Sequence, residues 1–481
     1  MTSKQKKTTL FVLGGLLAIV GIIGIKYNSF QKRNRAVEKY DNPLEHFKYG
    51  SLGTEKRLGI PLPLFKVFPK IYADLLPADG PGTGYEKVGF IYEKGKDRPI
   101  GTSLRELPVT LVGLNCASCH TGTIREVPGG ERQFLWGAPA NNFNIAGYFQ
   151  FLRKIGQDPR TTVDNLVDAI KKDDPNFGFV DGIVYRYFVL PETIKKLRAI
   201  EDQLKWVDSR PPFGPGRVDT FNPYKTYWGM DMAHDETVGT ADFPALFNQR
   251  PRAEKNMDLH WDGNNSSVAD RNISAAIGAG AEPDSLDMPE MQRVMDWIMD
   301  FQGPAFPQSK IDASKANAGK AVWEKACADC HSFTGSRVGK VTPIQEIGTD
   351  SGRLDSFTED LAKKQNTLGT GYPWQLTHFK KTNGYANAPL DRVWLRAPYL
   401  HNGSIPTLRA LLFVEERPAV FYRAHDVYDY QNVGFVSSGQ EAEKGFKYDT
   451  SLKGNGNRGH TYGADLPAED KINLLEYMKS L

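Results

Sequence analysis

Four cysteines constrain this chain more than anything else in it. They fall at Cys116, Cys119, Cys327 and Cys330, in two copies of Cys-x-x-Cys-His: CASCH at 116–120 and CADCH at 327–331. No cysteine is left over. On a helical turn the first cysteine and the histidine stand at i and i+4 and share a face, with the second cysteine beside them. Two thiols so placed can form thioethers to the vinyl groups of a haem, and the histidine then lies beneath the iron as its proximal ligand. A zinc clasp needs two ligand pairs that meet, and it has no use for this histidine twice. A thioredoxin-like redox pair does not need the histidine either. The expected cofactors are therefore two covalently bound haem c groups.

Length and charge set the frame. A chain of 481 residues, 40% hydrophobic, has room for two or three domains. Its 46 glycines and 30 prolines predict many loops. The formal charge of +3 hides an asymmetry. Seven of the 60 basic residues lie in 1–35, which holds no acid, so the rest of the chain is mildly acidic. Nothing in that body asks for nucleic acid.

Residues 8–25, TTLFVLGGLLAIVGIIGI, are uncharged and largely apolar, near the lower limit for crossing a bilayer. Three lysines precede the run and no small-x-small cleavage site follows it. The reading is an uncleaved signal anchor over 1–35, with a cleaved signal peptide as the alternative. Basic residues flank both ends, so charge does not orient it. Haem attachment outside the cytoplasm does: a single-pass bacterial inner-membrane protein with its body in the periplasm.

The rest divides around the two motifs. Residues 36–109 read as a loop-rich lead segment, 110–302 as a first cytochrome c-like domain, 303–309 as a linker, and 310–481 as a second such domain. The expected fold is mainly α: two tandem cytochrome c-like haem domains with long loop-rich insertions, preceded by one N-terminal transmembrane helix. SKANAGKAVWEKACADCH predicts a helix with apolar Ala318, Ala321, Val322 and Ala326 leading into the second motif. LPAEDKINLLEYMKSL predicts a closing helix opened by Pro467, with Ile472, Leu475, Tyr477 and Met478 on its apolar side. DMPEMQRVMDWIMDFQ, 287–302, closes the first unit in the same way. That unit carries an insertion with predicted helices at 161–172 and 191–206.

The sixth position on each iron can be approached by counting. The nine methionines stand at 1, 230, 232, 257, 288, 291, 295, 299 and 478, and none lies between His331 and the final helix. The second haem therefore lacks a loop methionine. Its candidates are His378, His401, His425 and His460. His460, in the glycine-rich KGNGNRGHTYGADLP, is the expected ligand, since such a loop can approach a flat haem face. His401 is read as a supporting residue. On the first haem, either Met230, Met232, His234, Met257 or His260 closes the site, or Tyr227, Trp228 and Phe243 wall an open one. Trp136, Trp261, Trp374 and Trp394 are equal candidates for a place between the haems.

Several strings carry a family resemblance: GRVDTFNP (216–223), LHWDGNN (259–265) with RNISAAIGAGA (271–281), RAPYLHNGSIPTL (396–408) and GHTYGADLPAEDK (459–471). Together they resemble the di-haem c-type rubber (latex) oxygenases, within the wider superfamily of bacterial di-haem cytochrome c peroxidases and methylamine-utilisation di-haem enzymes. The resemblance spans most of 42–481. It implies one catalytic haem with His120 proximal, and one bis-histidine electron-transfer haem on His331 and His460. It implies aromatic residues, here Tyr227, Trp228 and Phe243, over the open face. The expected function is a membrane-anchored periplasmic oxidoreductase with one O2- or peroxide-reactive haem, dioxygenase-like or peroxidase-like. Its partners would be the small oxidant and a redox protein or quinol-linked donor. The alternative is an electron-transfer cytochrome with both haems six-coordinate.

Overall fold

The computed structural model describes residues 37–481 apart from 79. The lead segment does not stand alone. Its strand β1 (Ile60–Pro61) joins β2 (Thr102–Leu107) and β3 (Val109–Leu114) in an antiparallel sheet of order β1-β3-β2. The side chain of Asn115 donates to the Gly50 carbonyl, and Thr54 Oγ1 donates to that of Leu114. The first cysteine turn thus leaves the end of β3 already tied to the lead. A hairpin of β4 (Thr121–Ile124) and β5 (Gln133–Trp136) follows.

The insertion is helical. Helices α1 (Ile145–Gln157), α2 (Val163–Asp173) and α3 (Leu190–Leu204) bury Leu152, Ile155, Leu166, Val167, Ile170, Ile194 and Leu197 in one core. Each has a polar outer side, as the 3.6-residue period requires. Strands β6 (Arg217–Asp219) and β7 (Thr240–Asp242) pair next. Helices α4 (Val268–Gly278) and α5 (Met288–Asp300) complete the first unit, the latter capped by the Asp287 carboxylate. Phe306, in the expected linker, is buried against Trp394 in the second core.

The second unit rests on the crossing of α6 (Ala313–Ala326) with α7 (Ala468–Met478). Here the inward face differs from the expected one. Ala318, Ala321 and Ala326 are exposed, while Gly319 and Trp323 are buried. A Cβ on Gly319 would lie 2.0 Å from the Asn473 carbonyl oxygen, so the absence of a side chain lets the backbones meet. On α7 the buried positions are Lys471, Leu474, Leu475 and Met478, and Ile472 turns outward. Between these helices run β8 (Val341–Pro343), β9 (Gly384–Ala386) and long loops.

The transmembrane part of the expected architecture is corrected. Among the described residues no helix is long and apolar enough to cross a membrane. The longest helical run, 179–204, in which a π turn leads into α3, is broken throughout by charged residues such as Asp181, Arg186, Glu192, Lys195 and Glu201, unlike an apolar span. The run 8–25 and the anchor over 1–35 lie outside the described residues. The expected single-pass inner-membrane placement is accordingly not supported by any described helix. Helix outweighs strand in the rest.

Candidate functional site

The first cysteine turn is a short helix, Cys116–Cys119. Asn115 Oδ1 caps it by accepting from the Ala117 amide at 3.0 Å, and the His120 amide closes it on the Cys116 carbonyl at 3.0 Å. His120 Nδ1 lies 2.8 Å from the carbonyl oxygen of Pro244. A carbonyl only accepts, so Nδ1 carries the hydrogen and Nε2 keeps its lone pair. Burial, then the nearby Arg271 charge, lowers the imidazole to about 3, so it is neutral at ordinary pH. The four cysteines are unbridged. Burial pushes Cys116 and Cys119 up to about 12. That is the reverse of a reactive thiolate pair, whose values are lowered.

The second turn repeats the design on different elements. The His331 amide bonds to Cys327 O at 3.0 Å, and its Nδ1 lies 2.7 Å from the carbonyl of Ala388. Again Nε2 is the free nitrogen. Burial lowers this imidazole as well and raises Cys327 to about 11.

Opposite His331 stands His460. The ring centroids are 6.0 Å apart and the planes are inclined by 44°. Two metal–imidazole bonds of about 2 Å, plus about 1 Å from each nitrogen to its ring centre, need about 6 Å. The residues present thus fit a metal held between two imidazoles. The loop that delivers His460 is fixed by its backbone. Arg417 donates to the carbonyls of Asn457, Gly459 and His460 at 2.7–3.1 Å. The His460 amide reaches Ile347 O at 2.7 Å. Gly459, at φ +74, lies so close to Gly348 that a Cβ would meet its carbonyl carbon at 2.2 Å. His460 itself holds φ +44, a strained value for a side-chain-bearing residue. Burial, then His331, lowers it to about 4.

The other candidates for that place go elsewhere. His378 pairs with Asp270 with half its side chain exposed. His401 is buried and stacks on Tyr385 at 4.1 Å, its Nε2 3.1 Å from the tyrosine hydroxyl. His425 accepts from the Val427 amide.

Around His120 the expected residues separate. Phe243 is buried with its ring 6.2 Å from the imidazole, next in sequence to the Pro244 that fixes it. Tyr227 is 45% exposed and covered by Arg57 at 5.3 Å. Trp228 lies edge-on to Tyr227 and, with Met230, borders the cluster that includes Cys116. The structure thus brings Phe243, but not Tyr227, against His120. His234 points to solvent, paired with Asp231. Met257 packs with Leu259 and Val338. His260 holds φ +63 and sets Nδ1 2.6 Å from Asn264 Oδ1, so its Nε2 is also free. Burial lowers it to about 3.

Of the four tryptophans, Trp261 joins the two units. Its Nε1 donates to Asp242 O at 2.9 Å, and its carbonyl accepts from the Ala386 amide at 2.9 Å. Asp242 is two residues before Pro244, and Ala386 two before Ala388. Trp136 stacks on Phe134, Trp374 on Tyr372, and Trp394 lies in the second core. Pro244, Ala388 and Arg271 escaped the sequence reading. The first two act through carbonyls that no motif marks, whereas Arg271 opens a string that had been noticed.

Comparison with known proteins adds a family signal. Residues 384–422 match the RoxA-like, cytochrome c-like family. This stretch contains Ala388, Arg396 and His401. The chain therefore carries a RoxA-like cytochrome c-like domain, with the haem c binding that such a domain implies. It is similar to two proteins of Sinorhizobium fredii (strain NBRC 101917 / NGR234). The uncharacterized protein y4iJ is 24% identical over 516 residues, covering 84% of this chain and 83% of its own. The uncharacterized protein y4iM is 27% identical over 268 residues, covering 49% and 60%.

Proposed function

We propose that this cytochrome carries two covalent haem c groups and works as an oxidoreductase with unequal sites. Cys116 and Cys119 attach one haem above His120. Cys327 and Cys330 attach the other, held between His331 and His460. The observation that carries this reading is the pair of imidazoles 6.0 Å apart, each depressed by burial into its neutral, ligating form. When bound, haem supplies one-electron chemistry, and an open coordination position supplies reactivity toward O2 or peroxide.

The chain's own residues divide the roles. The carbonyls of Pro244 and Ala388 fix the two proximal rings and keep their Nε2 atoms available. His460 fills the far side of the second site, which suits electron transfer. Phe243 gives the first site an apolar neighbour. A peroxide reaction would use a local acid or base. Asp242, beside Phe243 in sequence, is tied to Arg423 at 2.8 Å, and His234 and Glu236 have side chains 88% and 86% exposed, which favours O2 as the oxidant. Trp261 offers the link between sites. The electrons would come from a redox protein or a quinol-linked donor.

One observation favours a second reading, an electron-transfer cytochrome with both haems six-coordinate. His260 is strained, neutral and presents a free Nε2, and it shares the field of Arg271 with His120. Haem content by pyridine haemochrome, with absorption and EPR spectra of the purified protein, separates the two. A high-spin component that binds carbon monoxide supports the oxidoreductase. Two low-spin haems indifferent to O2, peroxide and carbon monoxide would sink it.

A further inference from the structure

Beyond its field on His120 and His260, Arg271 has no assigned role, yet it is a buried cation of the first unit, 8% exposed. Other buried arginines have acids: Arg353 has Asp262, Arg423 has Asp242 and Arg396 has Asp391. Among the described residues no carboxylate pairs with Arg271. Its side chain makes a single long hydrogen bond, Nη2 to the neighbouring Asn272 Oδ1 at 3.3 Å. A buried cation without a counter-charge costs several kcal/mol, so the site is built for a negative group that arrives from elsewhere.

Its position relative to His120 is fixed by a continuous run of bonds. Asn272 Nδ2 donates to Gln249 Oε1 at 2.9 Å, and Gln249 Nε2 donates to Leu246 O at 3.0 Å. The Leu246 amide donates to Gly137 O at 2.8 Å, and the Gly137 amide to His120 O at 2.9 Å. The apolar side of α4, with Ile273, Ala276 and Ile277, packs in the same cluster as Ala117 and Leu246. The guanidinium also lowers both His120 and His260, which places its charge within reach of both rings.

We infer that Arg271 is the counter-cation for an anionic group held beside His120. The chemistry is that of a carboxylate or a small anion, and two sources supply it: a propionate of the haem on Cys116 and Cys119, or an anion entering the open side of that haem. The inference rests on the reading that this motif carries haem. Holo-protein with Arg271→Gln and Arg271→Lys tests it, read by spectroelectrochemical titration of the His120-side haem and by azide binding. Absence of haem from the first motif of the unmodified protein would defeat the earlier reading and this inference with it, whereas the outcomes below bear on the inference alone.

If the source is the propionate, the midpoint of that haem falls in R271Q, with azide affinity altered less than about twofold, and R271K restores it. If the source is an anion at the open side, the azide dissociation constant rises at least about tenfold in R271Q. Loss of haem from the Gln variant alone supports the charge role through the Lys control. The inference is overturned if haem content, midpoint and azide affinity all stay unchanged in R271Q, or if both variants lose haem alike.

Discussion

Replacing His460 by alanine is the sharpest probe of the second site. The ring centroids of His331 and His460 are 6.0 Å apart. Subtracting about 1 Å from centre to nitrogen on each side leaves about 4 Å, two metal–nitrogen bonds and nothing more. Removal of one imidazole cannot be repaired by a small shift of its loop. Arg417 holds that loop through backbone carbonyls, and these survive the substitution. The fold should stand while the sixth position opens. Carbon monoxide bound by the reduced protein should rise from about one to about two molecules per chain. The low-spin EPR signal of the bis-histidine haem should vanish, and His460→Met should restore a low-spin haem with a different spectrum. An unchanged carbon monoxide stoichiometry with the low-spin signal intact would refute the ligand assignment.

Three further outcomes follow from particular contacts. Cys327→Ala should lower haem per chain by about half in the pyridine haemochrome assay, since it breaks one of the two attachment motifs proposed above. Gly319→Val drives a side chain into the Asn473 carbonyl, 2.0 Å from where its Cβ would lie. It should cost about 1–3 kcal/mol in thermal or urea unfolding, whereas a valine at the exposed Ala321 should cost far less. His401 is held well below its ordinary 6.5 by burial, then by the charges of Arg353 and Arg217. The unfolded chain protonates this residue first, so its contribution is present above about pH 6.5 and is lost as pH falls. His401→Gln should therefore flatten the loss of stability on the acid side of neutrality, read as the slope of urea midpoints between pH 7 and 5.

Local order was legible in the sequence wherever one segment settled its own structure. The two cysteine turns, the helix near 163–173, the Asp287-capped helix and the closing helix after Pro467 all follow from spacing and end signals. Counting methionines pointed to His460, whose ring centroid lies 6.0 Å from that of His331. Contacts between segments were less legible. The alanines of α6 looked like its inner face because alanine is apolar, yet close crossing favours the position with no side chain, Gly319, and the large Trp323 beside it. Tyr227 and Trp228 looked equivalent to Phe243. However, the first two end a short helix covered by Arg57 and Lys364, while Phe243 is carried inward by β7. The carbonyls that orient both proximal histidines belong to loops 57 and 124 residues away, and any residue type supplies a carbonyl.

Those two carbonyls make the proximal sides of the two turns alike, so they do not account for the unequal roles proposed for the two sites. The turns themselves are nearly the same, so the difference comes from what is brought to the far side. A glycine-rich loop, clamped by Arg417, forces His460 into a strained backbone and toward His331. In the first unit Phe243 packs against the His120 ring, and the Arg271 charge acts on both His120 and His260. Trp261 then bonds to the chain two residues before each orienting carbonyl. A change in the geometry of one proximal histidine therefore has a path of four hydrogen bonds and two short peptides to the other. Trp261 thus ties together the two loops whose carbonyls orient the proximal histidines.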